Sequence, residues 1–364
     1  MSVQIESNED ELKFTLSDLN VSIANSLRRT IISNIPCVVF KTSPYEENQC
    51  DIKINTTRFN NEIVKQRLSC IPIHITDLNT SLENYLLVIN KKNESDTIQN
   101  ITTEDFKILN TTTDKFIEES EIRKIFPPNS YTKRFIDFVR LKPKTSNDLE
   151  GEELNLTCKF TIASAKEDGM FNVASTISFG NTKDNEKNKK LWSEKEVELL
   201  KKGITPEEIS FEKQNWNLLE AQRIFKPNSF DFIIESIGVF KNVELVKLAC
   251  NNLTERLSEV KKQIETNKLI VKPSEVIMEN SFDIILENED YTIGKILEYY
   301  LYSKNFENNK TLTYCGFIKK HPFDTYSIIR IAFKEKTEKT GAYQYLLTAI
   351  QDSVQIIEQI NSKF

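Results

Sequence analysis

Glycine is scarce: only eight occur in 364 residues, and they form neither G-x-G-x-x-G nor G-x-x-x-x-G-K-[ST]. That excludes the common loops that cradle phosphates in nucleotide enzymes. Histidine is scarcer still. His74 and His321 stand far apart, each beside apolar residues, so a structural role fits them better than acid–base chemistry. The six cysteines, Cys37, Cys50, Cys70, Cys158, Cys250 and Cys315, are scattered without a C-x-x-C pair. Such a distribution suits small buried side chains rather than a metal site or disulfide framework, and no metal or other cofactor is expected. There is no tight aspartate cluster of the kind that holds magnesium. Glu152-Glu153 and Glu207-Glu208 sit in polar, loop-like surroundings. No stretch approaches the ~20 apolar residues of a membrane span, and the opening MSVQIESNEDELKF is too acidic and polar for a secretory signal. A reducing compartment is therefore expected. The net charge of −6 argues against broad binding to nucleic-acid phosphates, and lysine pairs such as Lys201-Lys202 are interleaved with glutamates as on a solvated face.

What is present is one unit that occurs twice. Leu12, Phe14 and Leu16 alternate with polar residues, which predicts a strand; Ile23, Ala24, Leu27, Ile31 and Ile35 then recur at three-to-four spacing, which predicts a helix ended by Pro36. Asn20 or Ser22 can cap that helix. A constant shift of 270 residues superimposes Leu12 on Phe282, Phe14 on Ile284, Leu16 on Leu286, Asn20 on Asp290, Ile23 on Ile293, Ala24 on Gly294, Leu27 on Leu297 and Ile31 on Leu301. Strand phase, cap, small residue and helix phase all agree, so we read two copies of one folding unit.

Between the copies lies a long insertion of short strand-like pieces, with a helix predicted from Asn60 to Leu68. Residues 181–202 read as a mobile loop leading into a solvated helix. A strand resumes at Phe230. After Gly238 a helix carries Val246, Cys250, Leu253, Leu257, Val260 and Ile264 at 4-3-4-3-4 spacing, a sustained heptad seam. Residues 265–281, with Pro273, read as a linker. The second copy adds strands around residues 312–317 and 327–333, then a last helix with Leu347, Ile350, Val354, Ile357 and Phe364 as its seam. Each copy thus offers two helices whose apolar faces a single layer cannot cover. At roughly 1.5–3 kcal/mol per large buried side chain, packing one copy on the other outweighs the charge terms, and a tether gives an effective concentration on the order of millimolar.

These residues carry a family resemblance. Asn20-x-x-x-Ala24-Asn25-Ser-Leu27-Arg28-Arg29, followed by the motif from Asn55 through Glu62, Arg67, Leu68 and Ile71-Pro72, resembles the larger α-like subunit of multisubunit DNA-dependent RNA polymerases. Residues 230–264 are similar to that subunit's second dimerisation segment. Asp290-Tyr-Thr-Ile-Gly294, Gly316-Phe-x-x-x-His321-Pro322-Phe323 and Ile329-Arg330-Ile331 resemble the smaller α-like subunit. Both in one chain resembles the fused α-like subunit of large nucleocytoplasmic DNA viruses.

The resemblance implies an α+β protein in which two α-like dimerisation modules form an internal pseudo-dimer. The first comprises residues 1–42 and 217–265, with a β-rich subdomain inserted at 43–216; a linker spans 266–281 and the smaller module 282–364. It implies a non-catalytic platform on which two large catalytic subunits assemble, with small polymerase subunits beside it, DNA reached only through the complex, and no membrane. Arg28, Arg29, Glu62 and Arg67 match positions the family turns toward the large subunits. Ile23, Leu27, Ile31, Val246, Leu253, Leu257, Val260, Ile264, Ile293, Leu297, Leu301, Leu347, Ile350, Val354 and Ile357 would form the internal interface. The implied location is host cytoplasm and virion, or the nucleus for a cellular source. Residues 76–110 lack the cysteine-rich metal loop of cellular relatives, and only Lys166-Glu-Asp-Gly-Met-Phe stands for their glycine- and histidine-containing segment. Two other readings compete: a single-strand nucleic-acid binder using the insertion, where Tyr131-Thr-Lys133-Arg134-Phe135 is the one basic–aromatic fragment and reads more easily as a strand, and a hydrolase or transferase with an unrecognised site.

Overall fold

The computed structural model describes residues 2–7, 10–144, 150–275 and 278–364; residues 145–149 of the expected insertion and Val276 and Ile277 of the expected linker lie outside the described residues. In chain order the elements are β1 (Ser2–Ser7), β2 (Leu12–Ser17), α1 (Val21–Ser33), β3 (Pro36–Val39), β4 (Cys50–Asn55), α2 (Asn61–Ser69), β5 (Tyr85–Lys92), β6 (Gln99–Thr102), β7 (Lys107–Asn110), β8 (Lys115–Phe116), α3 (Glu119–Ile125) and β9 (Asp137–Leu141). There follow β10 (Glu153–Lys159), β11 (Thr161–Ser164), β12 (Ala174–Lys183), α4 (Asn185–Lys201), α5 (Pro206–Leu218), β13 (Phe225–Ser236), α6 (Asn242–Glu265), β14 (Ile270–Pro273), β15 (Ser281–Glu287), α7 (Tyr291–Leu301), β16 (Leu312–Ile318), β17 (Tyr326–Phe333) and α8 (Lys339–Asn361). They fall into two compact units. One holds the chain up to Thr30, Thr176–Glu235 and Val246–Phe364; the other holds Ile31–Ser175 and Ser236–Leu245.

The first unit contains the repeat. Its two four-stranded sheets have the orders β1-β2-β13-β12 and β14-β15-β17-β16. Counted within each copy, both run first, second, fourth, third. Both place a helix after the second strand and a long helix after the fourth. The alternation read from sequence sets the register: Phe14 lies opposite Phe232, and Ile284 opposite Ile329. Alternate residues of β2 are buried, with Leu12, Phe14 and Leu16 at 1%, 3% and 0% exposure, because one face of the sheet is covered while the other meets polar surroundings. At the shift-related pair Ala24 and Gly294 the copies differ for a steric reason. A Cβ on Gly294 would stand 1.9 Å from a ring carbon of Phe317 on β16, so the second copy takes only glycine there.

The second unit has a five-stranded sheet ordered β4-β10-β5-β7-β8 and two-stranded pairs β3–β11 and β6–β9. Its core includes Phe40, Phe106, Phe126 and Phe138; the Phe106 ring meets Phe126 and Phe138 edge-on at 5.3 and 5.6 Å, a favoured aromatic geometry.

Several expectations need correction. Residues 181–202 contain no loop: β12 runs to Lys183, and Asp184 accepts the Lys187 N–H at 3.0 Å to start α4 directly. A second helix, α5, begins at the Thr205–Glu208 capping box and packs Ile209 against Trp192 and Leu199. The expected insertion at 43–216 therefore ends too late, since β12 pairs beside β13 in the first copy's own sheet. The expected linker holds β14, whose Val271 lies opposite Ile284; Pro273 is tolerated at the end of this edge strand. Along α8 the buried line is Ala342, Leu346, Ala349, Ile350, Ser353, Ile357 and Ile360, so Leu347 and Val354 are only half-buried and flank it. An α-helix at 3.6 residues per turn drifts off a strict heptad. Finally, Tyr131–Phe135 is a turn rather than a strand, because Asn129 Oδ1 accepts the N–H groups of Tyr131 and Thr132.

Candidate assembly interface

The two copies meet through α1 and α7. Each helix starts on a short polar cap: Asn20 Oδ1 accepts the Ser22 N–H at 2.8 Å, and Asp290 Oδ1 accepts the Thr292 N–H at 2.9 Å. Small side chains near both starts let the helices approach. Ser26 Oγ lies 2.7 Å from the carbonyl oxygens of both Ser22 and Thr292, the second bond being buried. The Arg29 guanidinium then closes the contact, Nε donating to Thr292 Oγ1 at 3.0 Å and Nη2 to Asp290 Oδ2 at 2.8 Å.

Arg29 thus belongs to the contact between copies, whereas family position alone turned it toward a large subunit. Arg28, one step round the helix, differs. Its Nε and Nη2 donate to Asn25 Oδ1 at 3.1 and 3.0 Å, and it forms no ion pair among the described residues. Burial, with Arg29 beside it, pulls its pKa below the ordinary value, though a guanidinium stays charged. In the second unit, Glu62 stands exposed in the first turn of α2. Arg67, near the other end, donates to the backbone carbonyls of Phe138 at 2.7 Å and Asp137 at 2.9 Å.

A second link comes from α6. Arg256 reaches the loop before α7, with Nε donating to Glu289 Oε1 at 3.1 Å, Nη2 meeting Oε2, and Asp290 Oδ1 at 3.8 Å. The pair is largely enclosed, with side-chain exposures of 15% and 12%. Sequence reading missed it, since both residues stand in charge-rich stretches; the shift of 270 that made Asp290 the mate of Asn20 did flag one anchor. At the far end Phe364 packs edge-on against Phe14 with ring centres 4.9 Å apart, and Asn361 Nδ2 donates to Asn251 Oδ1 at 3.0 Å. Among the apolar candidates, Ile23, Leu27, Ile31, Val246, Leu253, Leu257, Val260, Ile264, Ile293, Leu297, Leu301, Ile350 and Ile357 are all buried.

Asp290 makes the contact acid-sensitive. Burial alone would raise its pKa, but the N–H and hydroxyl of Thr292 and the charges of Arg29 and Arg256 hold it below the usual carboxylate value. A carboxyl whose folded pKa is depressed stabilises the fold above its unfolded value of ~3.9, and that contribution disappears as pH falls through the folded pKa. The thermal midpoint should therefore hold steady from neutral pH to about 5 and drop below about 4, with Asp290→Asn flattening the drop. Parallel acid curves for wild type and variant would show that this carboxylate is not the sensor.

Among the described residues no group of three or more His, Cys, Asp or Glu side chains could hold a metal ion. A family model described as the RNA polymerase Rpb3/Rpb11 dimerisation domain matches residues 13–257, and a second of the same description matches residues 281–363. In Arabidopsis thaliana, subunit 3B of DNA-directed RNA polymerases IV and V is 37% identical over 68 residues, and subunit 3 of DNA-directed RNA polymerases II, IV and V is 35% identical over 68; each match covers 19% of both chains. DNA-directed RNA polymerase subunit Rpo3 of Pyrococcus furiosus is 36% identical over 74 residues, 20% of this chain and 26% of that protein. The matches thus span about a fifth to a quarter of these relatives' length. The first family match alone takes in well over half of the chain, which belongs to the RNA polymerase Rpb3/Rpb11 dimerisation domain family.

Proposed function

We propose that the chain is a non-catalytic assembly platform of a multisubunit DNA-dependent RNA polymerase, in which both halves of an α-like pair are carried by one polypeptide. The observation that carries this is the direct α1–α7 contact between two sheets of identical strand order, each overlapping a match to the dimerisation family. A preformed pair has no association step of its own, so the surface that receives the two large catalytic subunits exists as soon as the chain folds. The apolar side chains named above form the internal interface in this reading, and small polymerase subunits dock beside it. The fusion suits a large DNA virus, with the protein in the host cytoplasm and virion. Co-expression of the tagged chain with the large subunits of its own source tests the reading: both should co-purify with it, and capture of neither would end it.

The two arginines separate within this proposal. Arg28→Ala should leave the thermal midpoint unchanged and weaken capture of a large subunit, because its remaining donors are committed to no acid. Arg29→Ala should cost about 1 kcal/mol of stability, a modest figure because the side chain is 34% exposed. Full capture by the Arg28 variant would retire its assignment.

A further inference from the structure

The second unit contains a recess of about 470 Å³ between α2 and β9. Four cations line it: Arg58, Arg67, Arg140 and Lys142. One carboxylate, Asp137, stands among them, and no carboxylate pairs with any of the four cations among the described residues. This is a local excess of positive charge in a chain of net charge −6. Its wall is apolar where it could have been polar. Ile98 is 63% exposed, and the Phe59 ring lies under the Arg67 guanidinium with 5.6 Å from carbon to ring centre. Arg67 is fixed there by the β9 carbonyls, which holds its charge at the recess.

Cations that pair with no described carboxylate, set around an apolar wall, fit one kind of occupant. From this geometry we infer that the recess seats an acidic segment of a partner polymerase subunit, a stretch in which aspartates or glutamates flank one large apolar side chain. The apolar side chain fills the volume against Phe59 and Ile98, and the flanking carboxylates meet Arg58, Arg140 and Lys142. A nucleic-acid strand fits less well. It needs successive aromatic faces along a basic track, and this is a single recess with one exposed ring. Charges of this kind steer encounter and fix register. The inference rests on the platform reading for the identity of the partner, though the recess chemistry stands apart from it.

The test uses the full chain and an Arg58→Glu, Arg140→Glu, Lys142→Glu variant; all three positions are exposed, so the thermal midpoint should match wild type. Arg67 is left in place because it also holds β9. Fluorescence anisotropy is read with a short labelled peptide bearing aspartates on both sides of one leucine. Wild type should bind it saturably and less tightly at high salt, the variant about tenfold or more weakly, and a peptide with lysines for aspartates not at all. If the triple variant fails to fold, the Arg140→Gln, Lys142→Gln variant replaces it, with a several-fold loss expected. Equal binding by wild type and variant, no saturable binding, or tighter binding of single-stranded oligothymidylate lost in the same variant would overturn the inference. In co-expression, a variant that keeps every partner captured by wild type sinks the recess alone. A wild-type chain that captures no polymerase subunit sinks the platform reading and, with it, the partner assigned here.

Discussion

Replacing Leu257 with aspartate is expected to open the contact between the two copies and to abolish capture of the large subunits. Leu257 lies in the middle of α6 with 0% exposure, on the line formed by Val246, Leu253, Val260 and Ile264. A carboxylate there would be enclosed where Leu257 now has no exposed surface. The loss combines about 2 kcal/mol of apolar burial with several kcal/mol for a buried unpaired charge. A total of ~4 kcal/mol or more would lower the thermal midpoint by about 10 °C for a unit of this size. Leu27→Asp on α1, at 1% exposure, should do the same. Leu257→Met, which keeps the volume, should cost under about 1.5 kcal/mol and leave capture intact. An aspartate variant that melts and assembles as wild type would mean that this seam holds nothing.

How much of this was legible in the sequence depended on periodicity. The β2–α1 and β15–α7 units could be matched because strand phase, cap and helix phase are all local signals, and the structure places Asn20 and Asp290 at equivalent caps. Edge strands were harder. β14 is four residues long and ends in proline, so it offers too few alternations to stand out from a linker. The α4–α5 hairpin was half-seen because its core is small: Trp192, Leu199 and Ile209 among many charges give little amphipathic contrast. On α8, two apolar lines run side by side, and spacing alone could not say which one the fold buries.

The division of labour between Arg28 and Arg29 was beyond the sequence for a different reason. Adjacent helical residues point about 100° apart, so the same motif sends one toward Asp290 and the other toward Asn25. Only the position of α7, some 260 residues away along the chain, decides which does which. For the same reason nothing local marked Arg256, whose partner Glu289 follows 33 residues later across β14 and β15.

Arg256→Ala should therefore be nearly as damaging as a core substitution. It takes the Arg256 guanidinium away from Glu289, whose side chain is 12% exposed, and removing one partner of such a pair costs roughly 3 kcal/mol. The pair itself contributes less than that number suggests. Arg256 Nη1 is buried without a hydrogen-bond partner among the described residues, so part of the cost of taking this guanidinium out of water is not offset. Replacing both residues together, as Arg256→Met with Glu289→Leu, should accordingly come within about 1 kcal/mol of wild type in urea unfolding, while each single change is several-fold worse. A double-mutant cycle with no coupling would show two independently solvated side chains. Loss of the Arg256→Ala effect in the Asp290→Asn background would show that Arg256 acts on Asp290, 3.8 Å away, rather than on Glu289.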